Sequence, residues 1–195
     1  KSVEDDLSNI RGIKLSENYT DWLGYEINGS YDKNKSLGRV YINTKTEYTP
    51  EIFGNLTKRL QEDGLHCEIK TSRGGENDSS RVESMVIYFN GAESGRLYNT
   101  LLNLYTDNSE KFDNEIPRFT RQLKDMPGIS FGEEPVMPDE SFNYVRAQIL
   151  ARVYYKYKRS NFDEKFDFIR EFQDACSSFQ VDSKDPSKNQ KYLEN

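Results

Sequence analysis

The residues of this chain that could do chemistry are mostly cations, set at two-residue spacing on strand-like segments. In GRVYINT (38–44), Val40 and Ile42 fall on one face and Arg39, Tyr41 and Asn43 on the other, because side chains alternate across a strand. In LHCEIK (65–70), Leu65, Cys67 and Ile69 share one face, and His66, Glu68 and Lys70 share the opposite one. Arg81 opens a third expected strand, RVESMVIYFN (81–90), with a buried MVIYF centre. If these polar faces lie side by side, Arg39, Lys70 and Arg81 converge. Cations gathered on one sheet face of an acidic protein suggest an anion site, since guanidinium forks suit phosphate or carboxylate geometry. Arg118 and Arg121 in RFTRQL, and Arg146 and Arg152 further on, extend the candidate set. The plain structural alternative is that these side chains merely solvate a sheet face.

Composition narrows the chemistry. One histidine, His66, rules out multi-histidine metal sites and obliges any histidine-dependent triad to use it. Two cysteines, Cys67 and Cys176, provide no CxxC and no disulfide framework. No zinc site is expected, and the two thiols read as buried ones in a reducing, cytoplasmic setting. With 27 Lys and Arg against 33 Asp and Glu, net charge is −6, the wrong sign for a general nucleic-acid binder. No apolar run approaches the ~18 residues of a transmembrane helix, and no signal peptide is evident. Lys1 in place of an initiator Met suggests a processed or trimmed fragment. No P-loop, G-x-G-x-x-G or G-x-S-x-G is present. GGENDSS (74–80) has glycines but lacks the strand-turn-helix context of a phosphate cradle.

The elements that must position these residues follow from pattern. Residues 1–14 read as a leading segment or short strand, Tyr19–Ile27 as strand or buried loop around Trp22, and 28–37 as a loop. Thr49-Pro50 looks like an N-cap with proline at the first helical position, followed by Ile52, Phe53, Leu56 and Leu60 at helical spacing and a stop at Gly64. A second helix carries Leu97, Leu101 and Leu104 and fades near Asp107. Prolines and glycines mark turns over 107–140, with RFTRQL a candidate strand. Ser141 caps a helix running to about Lys158, and Phe162–Phe179 reads as a second amphipathic helix. The expectation is an α+β single domain spanning 1–195, with a small mixed or antiparallel sheet, two C-terminal helices and an irregular tail over 182–195.

Ordered blocks carry a resemblance to a known family. SENYTDWLG (16–24), GRVYIN (38–43), CEIK (67–70), RVESMVIYF (81–89), IPRFTRQL (116–123), PGISFGEEP (127–135), ESFNYVRAQILA (140–151) and the terminal KYLEN resemble, in order, blocks of the HopA-type effector-homology family. That family includes type III effector homologues and domains of class V lanthipeptide and thioamitide biosynthesis. The resemblance implies a phospholyase-like role. A kinase phosphorylates Ser or Thr of a peptide, and the HopA-type partner eliminates phosphate to leave a dehydroamino acid. It implies a phosphorylated peptide or protein substrate, a kinase partner, no cofactor, and no nucleic acid or membrane partner. The location is cytoplasmic, or a host cell for an effector.

The implied site is Lys70 as base and Tyr41 as acid, with Arg39, Arg81, Arg121 and Arg146 holding phosphate and Glu133, Glu134 and Asn43 in support. β-Elimination needs a base for a weakly acidic Cα–H and a cationic clamp for the leaving phosphate. The base must be a neutral amine. Neighbouring arginines favour that form and a bound phosphate opposes it. His66 shares the face of Lys70, but no family block supports it. Two departures stand out: Asn143 where the family has Gly, and Glu83 where Asp is usual. They keep open a noncatalytic phosphopeptide- or partner-binding domain of the same fold.

Overall fold

The computed structural model describes residues 7, 10–18, 22–29, 36–72, 81–137 and 140–190. Expectations for residues 1–6, for Tyr19–Asp21, for the loop over 30–35, for GGENDSS and for KYLEN lie outside them. The chain divides into two compact units, Lys1–Phe131 and Gly132–Asn195. The class is α+β, as expected.

The first unit is built on a seven-stranded sheet. Its strands are β1 (Ile13–Asn18), β2 (Trp22–Ile27), β3 (Ser36–Ile42), β4 (Cys67–Ser72), β5 (Met85–Asn90), β6 (Arg121–Gln122) and β7 (Ile129–Glu133), in the order β1-β2-β4-β5-β3-β7-β6. The pairs β1–β2, β2–β4, β4–β5, β3–β5 and β6–β7 are all antiparallel. The face bearing Tyr25, Ile27, Val40, Ile42, Ile69 and Ile87 is the dry one, and it joins a single core with the apolar stripes of two helices.

These helices are α1 (Thr49–Glu62) and α2 (Ser94–Asn108). In α1, Ile52, Phe53, Leu56 and Leu60 recur at helical spacing and are buried. Its start is one residue earlier than the sequence suggested: Tyr48 is the cap and Thr49 the first helical residue. The Thr49 hydroxyl pairs with that of Thr44 at 2.8 Å instead of capping the helix. Gly64 ends the element at φ +67, with Leu65 N–H donating back to the Leu60 carbonyl, the left-handed exit glycine tolerates best.

Three expected elements are shorter. The third strand begins at Met85, so Arg81 precedes it. Only Arg121–Gln122 of RFTRQL pairs as strand. There Phe119 is held at φ +66, and Thr120 donates through N–H and hydroxyl to the Pro117 carbonyl, closing a turn. In the second unit, α3 (Phe142–Arg159) starts where expected, with the Ser141 hydroxyl accepting from Tyr144 N–H at 3.1 Å. The last helix, α4 (Phe168–Ser178), begins six residues late. Asn161 and Phe162 both have positive φ, which no right-handed helix contains, and Asp167 supplies the cap through Arg170 N–H. The helix therefore leaves Ile169 exposed and buries Ala175 and Cys176. The segment after Asp182 has no helix or regular strand among its described residues, but Val181 and Asn189 form a bridge and Ser187 is buried.

Gly128 secures the connection beside β3. Its carbonyl accepts from Asn43 N–H at 2.9 Å, its φ is +82, and a Cβ there would sit 1.8 Å from the Asp113 carbonyl oxygen. Gly128→Ala is expected to destabilise the fold by roughly 1–3 kcal/mol, measured by denaturant unfolding. An unchanged midpoint contradicts this packing.

Both thiols are buried. Burial raises Cys176 to about 11, against a smaller lowering effect of Arg146. Burial also raises Cys67. A raised folded value means the stabilising contribution is complete below the unfolded thiol range near ~8.5 and is lost as pH climbs towards 11. Thiol labelling of the native protein at pH 8 should therefore be slow at both cysteines and become fast in denaturant. Fast native labelling contradicts it.

Candidate functional site: the polar face of the sheet

Register decides which side chains meet on the face opposite the core. Along one cross-strand row, Gly24 pairs with Lys70, Lys70 with Val86, and Val86 with Tyr41. In the next row Glu26 pairs with Glu68, Glu68 with Tyr88, and Tyr88 with Arg39. Rows lie about 7 Å apart and strands about 4.8 Å. Lys70 and Tyr41 are thus two strands apart across Val86, about 10 Å between backbones.

The side chains close these gaps. The Lys70 amine stands 5.0 Å from the centre of the Tyr88 ring, and the Arg39 guanidinium stands 4.9 Å from the same centre. A ring's negative face attracts cations, so Tyr88 is a shared partner of the two. Glu68 joins them, with its Oε1 3.9 Å from Lys70 Nζ. That oxygen also accepts from the Ser16 hydroxyl at 2.8 Å. Part of this face is closed to water: Glu68 and Tyr41 are each only 3 % exposed and Val86 5 %, while Lys70, Arg39 and Tyr88 are half-buried.

One row beyond Lys70 on β4, Ser72 lines a cleft of about 340 Å³, together with Asn43, Thr46, Arg81, Glu83 and Ser84. Arg81 stacks 4.9 Å from the centre of the Trp22 ring and lies 4.0 Å from buried Glu83. Asn43 is held by its own amide donating to the Glu115 carbonyl at 3.1 Å. The cleft is lined by hydroxyls, the Asn43 amide, one guanidinium and the Glu83 carboxylate beside it, a polar surface whose guanidinium could receive an oxyanion.

The other expected site residues fall elsewhere. Arg121 is exposed on edge strand β6, four strands from Lys70 in sheet order. It stands directly opposite Phe131, whose ring packs against Phe89 of the core. The pleat therefore directs Arg121 to the core-side face, away from the face of Lys70. His66 is exposed and precedes β4.

In the second unit Arg146 is buried (1 % exposed), with its guanidinium 4.0 Å from the Phe142 ring centre and Nε donating to the Pro186 carbonyl at 3.1 Å. Glu133 and Glu134 order the tail. Glu133 N–H donates to the Ser187 carbonyl at 2.7 Å, the Glu133 carboxylate accepts from Asn189 N–H, and the Glu134 carbonyl accepts from the Asn189 amide. Sequence reading gave no role to Glu68, Tyr88 or Trp22. Their two-residue phase with Lys70 and Arg39 was the available signal for the first two.

The chain belongs to the HopA1 effector protein family, whose model matches residues 24–188. The fold is similar to that of the effector protein from Pseudomonas syringae pv. syringae strain 61 (12 % identity, TM-score 0.74, 97 % of this chain and 79 % of that one). It is similar also to the effector from Pseudomonas syringae pv. tomato strain DC3000 (14 %, 0.68, 96 % and 68 %). The phosphothreonine lyase SpvC, the effector protein from Salmonella, shares it over a smaller part (13 %, 0.53, 67 % and 73 %). No curated protein matches in sequence.

The Glu68–Lys70 contact is expected to be energetically coupled. A double-mutant cycle of Lys70→Met and Glu68→Gln, read by denaturant unfolding, should give an interaction energy of about 1 kcal/mol. Strict additivity contradicts the contact.

Proposed function

We propose that this chain acts as a phosphothreonine- or phosphoserine-lyase-like protein on a phosphorylated peptide. The observation that carries the reading is the placement of the half-buried Lys70 amine and Arg39 guanidinium against one ring, beside buried Tyr41. The similarity of fold to a phosphothreonine lyase supports it.

In the reaction, the neutral Lys70 amine takes the Cα proton. The Cα–H electron pair becomes the Cα=Cβ bond, and the Cβ–O bond breaks with its pair leaving on the phosphate oxygen. Arg39 and Arg81 offset the charge that develops on that oxygen, and the Tyr41 phenol is the proton donor to it. Arg146 belongs to the second unit and is given no step in this reaction. Arg121 is not assigned to the clamp. The substrate is supplied by a kinase, and the chain works in the cytoplasm or, as an effector, in a host cell. In the biosynthetic setting the product is a dehydroalanine- or dehydrobutyrine-containing peptide.

A second reading is a noncatalytic phosphopeptide-binding domain. The carboxylate of Glu68 beside Lys70 favours it, since it stabilises the ammonium form, which attracts an anion but cannot accept the Cα proton.

Incubation with a phosphothreonine peptide separates the two. Elimination predicts loss of phosphoric acid, about 98 Da, abolished by Lys70→Ala and lowered roughly 10²-fold or more by Arg81→Ala. Binding without mass change supports the second reading. Failure to bind any phosphopeptide contradicts both.

A further inference from the structure

We infer that Glu68 is a positioning residue, whose buried carboxylate holds the Lys70 amine over the Tyr88 ring and sets the pH at which that amine becomes a base. The inference rests on the elimination reading and adds a control to it.

A carboxylate is an unexpected group here. It repels the phosphate that the surrounding cations attract, and burying it costs several kcal/mol unless it is paired. Glu68 is nonetheless 3 % exposed, on the same face of β4 as Lys70 and two residues from it. Its Oε1 is fixed from β1 by the Ser16 hydroxyl and lies 3.9 Å from the amine. The carboxylate thus has a fixed seat, and the amine is drawn towards it.

Among the described residues of the sheet, the charged and titratable groups that share the face of Lys70 come from β1, β2, β3, β4 and β5. Glu68 shares β4. The Tyr88 ring lies on β5, with Arg39 of β3 against the same ring. Tyr41 of β3 lies across Val86. On β2, Gly24 is opposite Lys70 and Glu26 opposite Glu68, and on β1, Lys14 is opposite Glu26. Arg39 stays charged at every working pH and favours the neutral amine. Glu68 is the nearest opposing charge among these and favours the ammonium. The ammonium form is therefore held in one place by Glu68 and the ring together, and the amine is released as a base only as pH rises.

Glu68→Gln removes the charge while keeping the shape and an acceptor for Ser16. The test follows the Lys70 amine directly, by NMR of ¹³C-dimethylated lysines, assigned with Lys70→Ala, and follows phosphate elimination from a phosphothreonine peptide across pH. In Glu68→Gln the Lys70 titration should move down by about one unit or more, and the acid limb of kcat/KM should move with it. Glu68→Asp, which withdraws the carboxylate by one methylene, should move both by less in the same direction. Thermal unfolding reports whether each variant is folded. A Lys70 titration unmoved in a folded variant overturns the inference, with Glu68→Asp deciding if Glu68→Gln does not fold. Elimination whose pH profile ignores Glu68 also overturns it while leaving the elimination reading intact. A shifted titration with no elimination from any peptide leaves the coupling intact and removes the reading it rests on.

Discussion

The two-residue alternation of β4, β5 and β3 is the constraint on which the site depends. Once Ile69, Ile87 and Ile42 are committed to the core, Lys70, Tyr88 and Arg39 have to face the other way. A one-residue slip would bury two cations among isoleucines and expose the core, a cost no surface interaction offsets. Burial of one face thus fixes the chemistry of the other. Gly128 and Asn43, at the end of β3, tie that register to the neighbouring connection.

The polar face is partly shielded, and this changes what its charges are worth. In a partly dry setting a cation over an aromatic ring is stabilised more than in water, and a lone carboxylate is penalised. Glu68 resolves its own burial through Ser16 and Lys70, and Arg81 meets buried Glu83 beside Trp22. Lys70 and Arg81 therefore each have an aromatic face and an acid beside them. Such an arrangement keeps a cation in place before any ligand arrives, which is what an anion-binding or proton-transfer site requires. The same acids lower the net charge available to a phosphate, so catalysis and simple binding are separated by a fine electrostatic balance.

Much of this was legible from residue order, because alternation and helical spacing are local. Alternation puts Arg39 and Tyr41 on the polar face of one strand and Lys70 on that of another, and the register joins the two faces; the sheet, expected as mixed or antiparallel, has antiparallel pairs, and the Gly64 stop and the Ser141 cap follow from side-chain chemistry. What failed was non-local. Arg121 fell on the core-side face because its partner across the pair is Phe131, a pairing no spacing announces. The start of α4 moved to Phe168 because Asn161 and Phe162 adopt left-handed backbone, which apolar periodicity does not register. Glu133 and Glu134 organise the tail, Glu133 through its carboxylate and N–H and Glu134 through its carbonyl, contacts to Ser187 and Asn189 more than 50 residues on that no local pattern announces. Glu68 was seen on the right face but its neighbours were not, since Ser16 comes from a strand 52 residues away.

The central claim is removal of a proton by Lys70 in a carbon–oxygen cleavage. A phosphothreonine peptide deuterated at Cα tests it most directly, with phosphate release followed in ¹⁸O-labelled water. The account predicts slower release from the deuterated peptide, an unsaturated product, and phosphate carrying no ¹⁸O from solvent. Equal rates, with ¹⁸O entering phosphate or threonine, would mean hydrolysis and would contradict it.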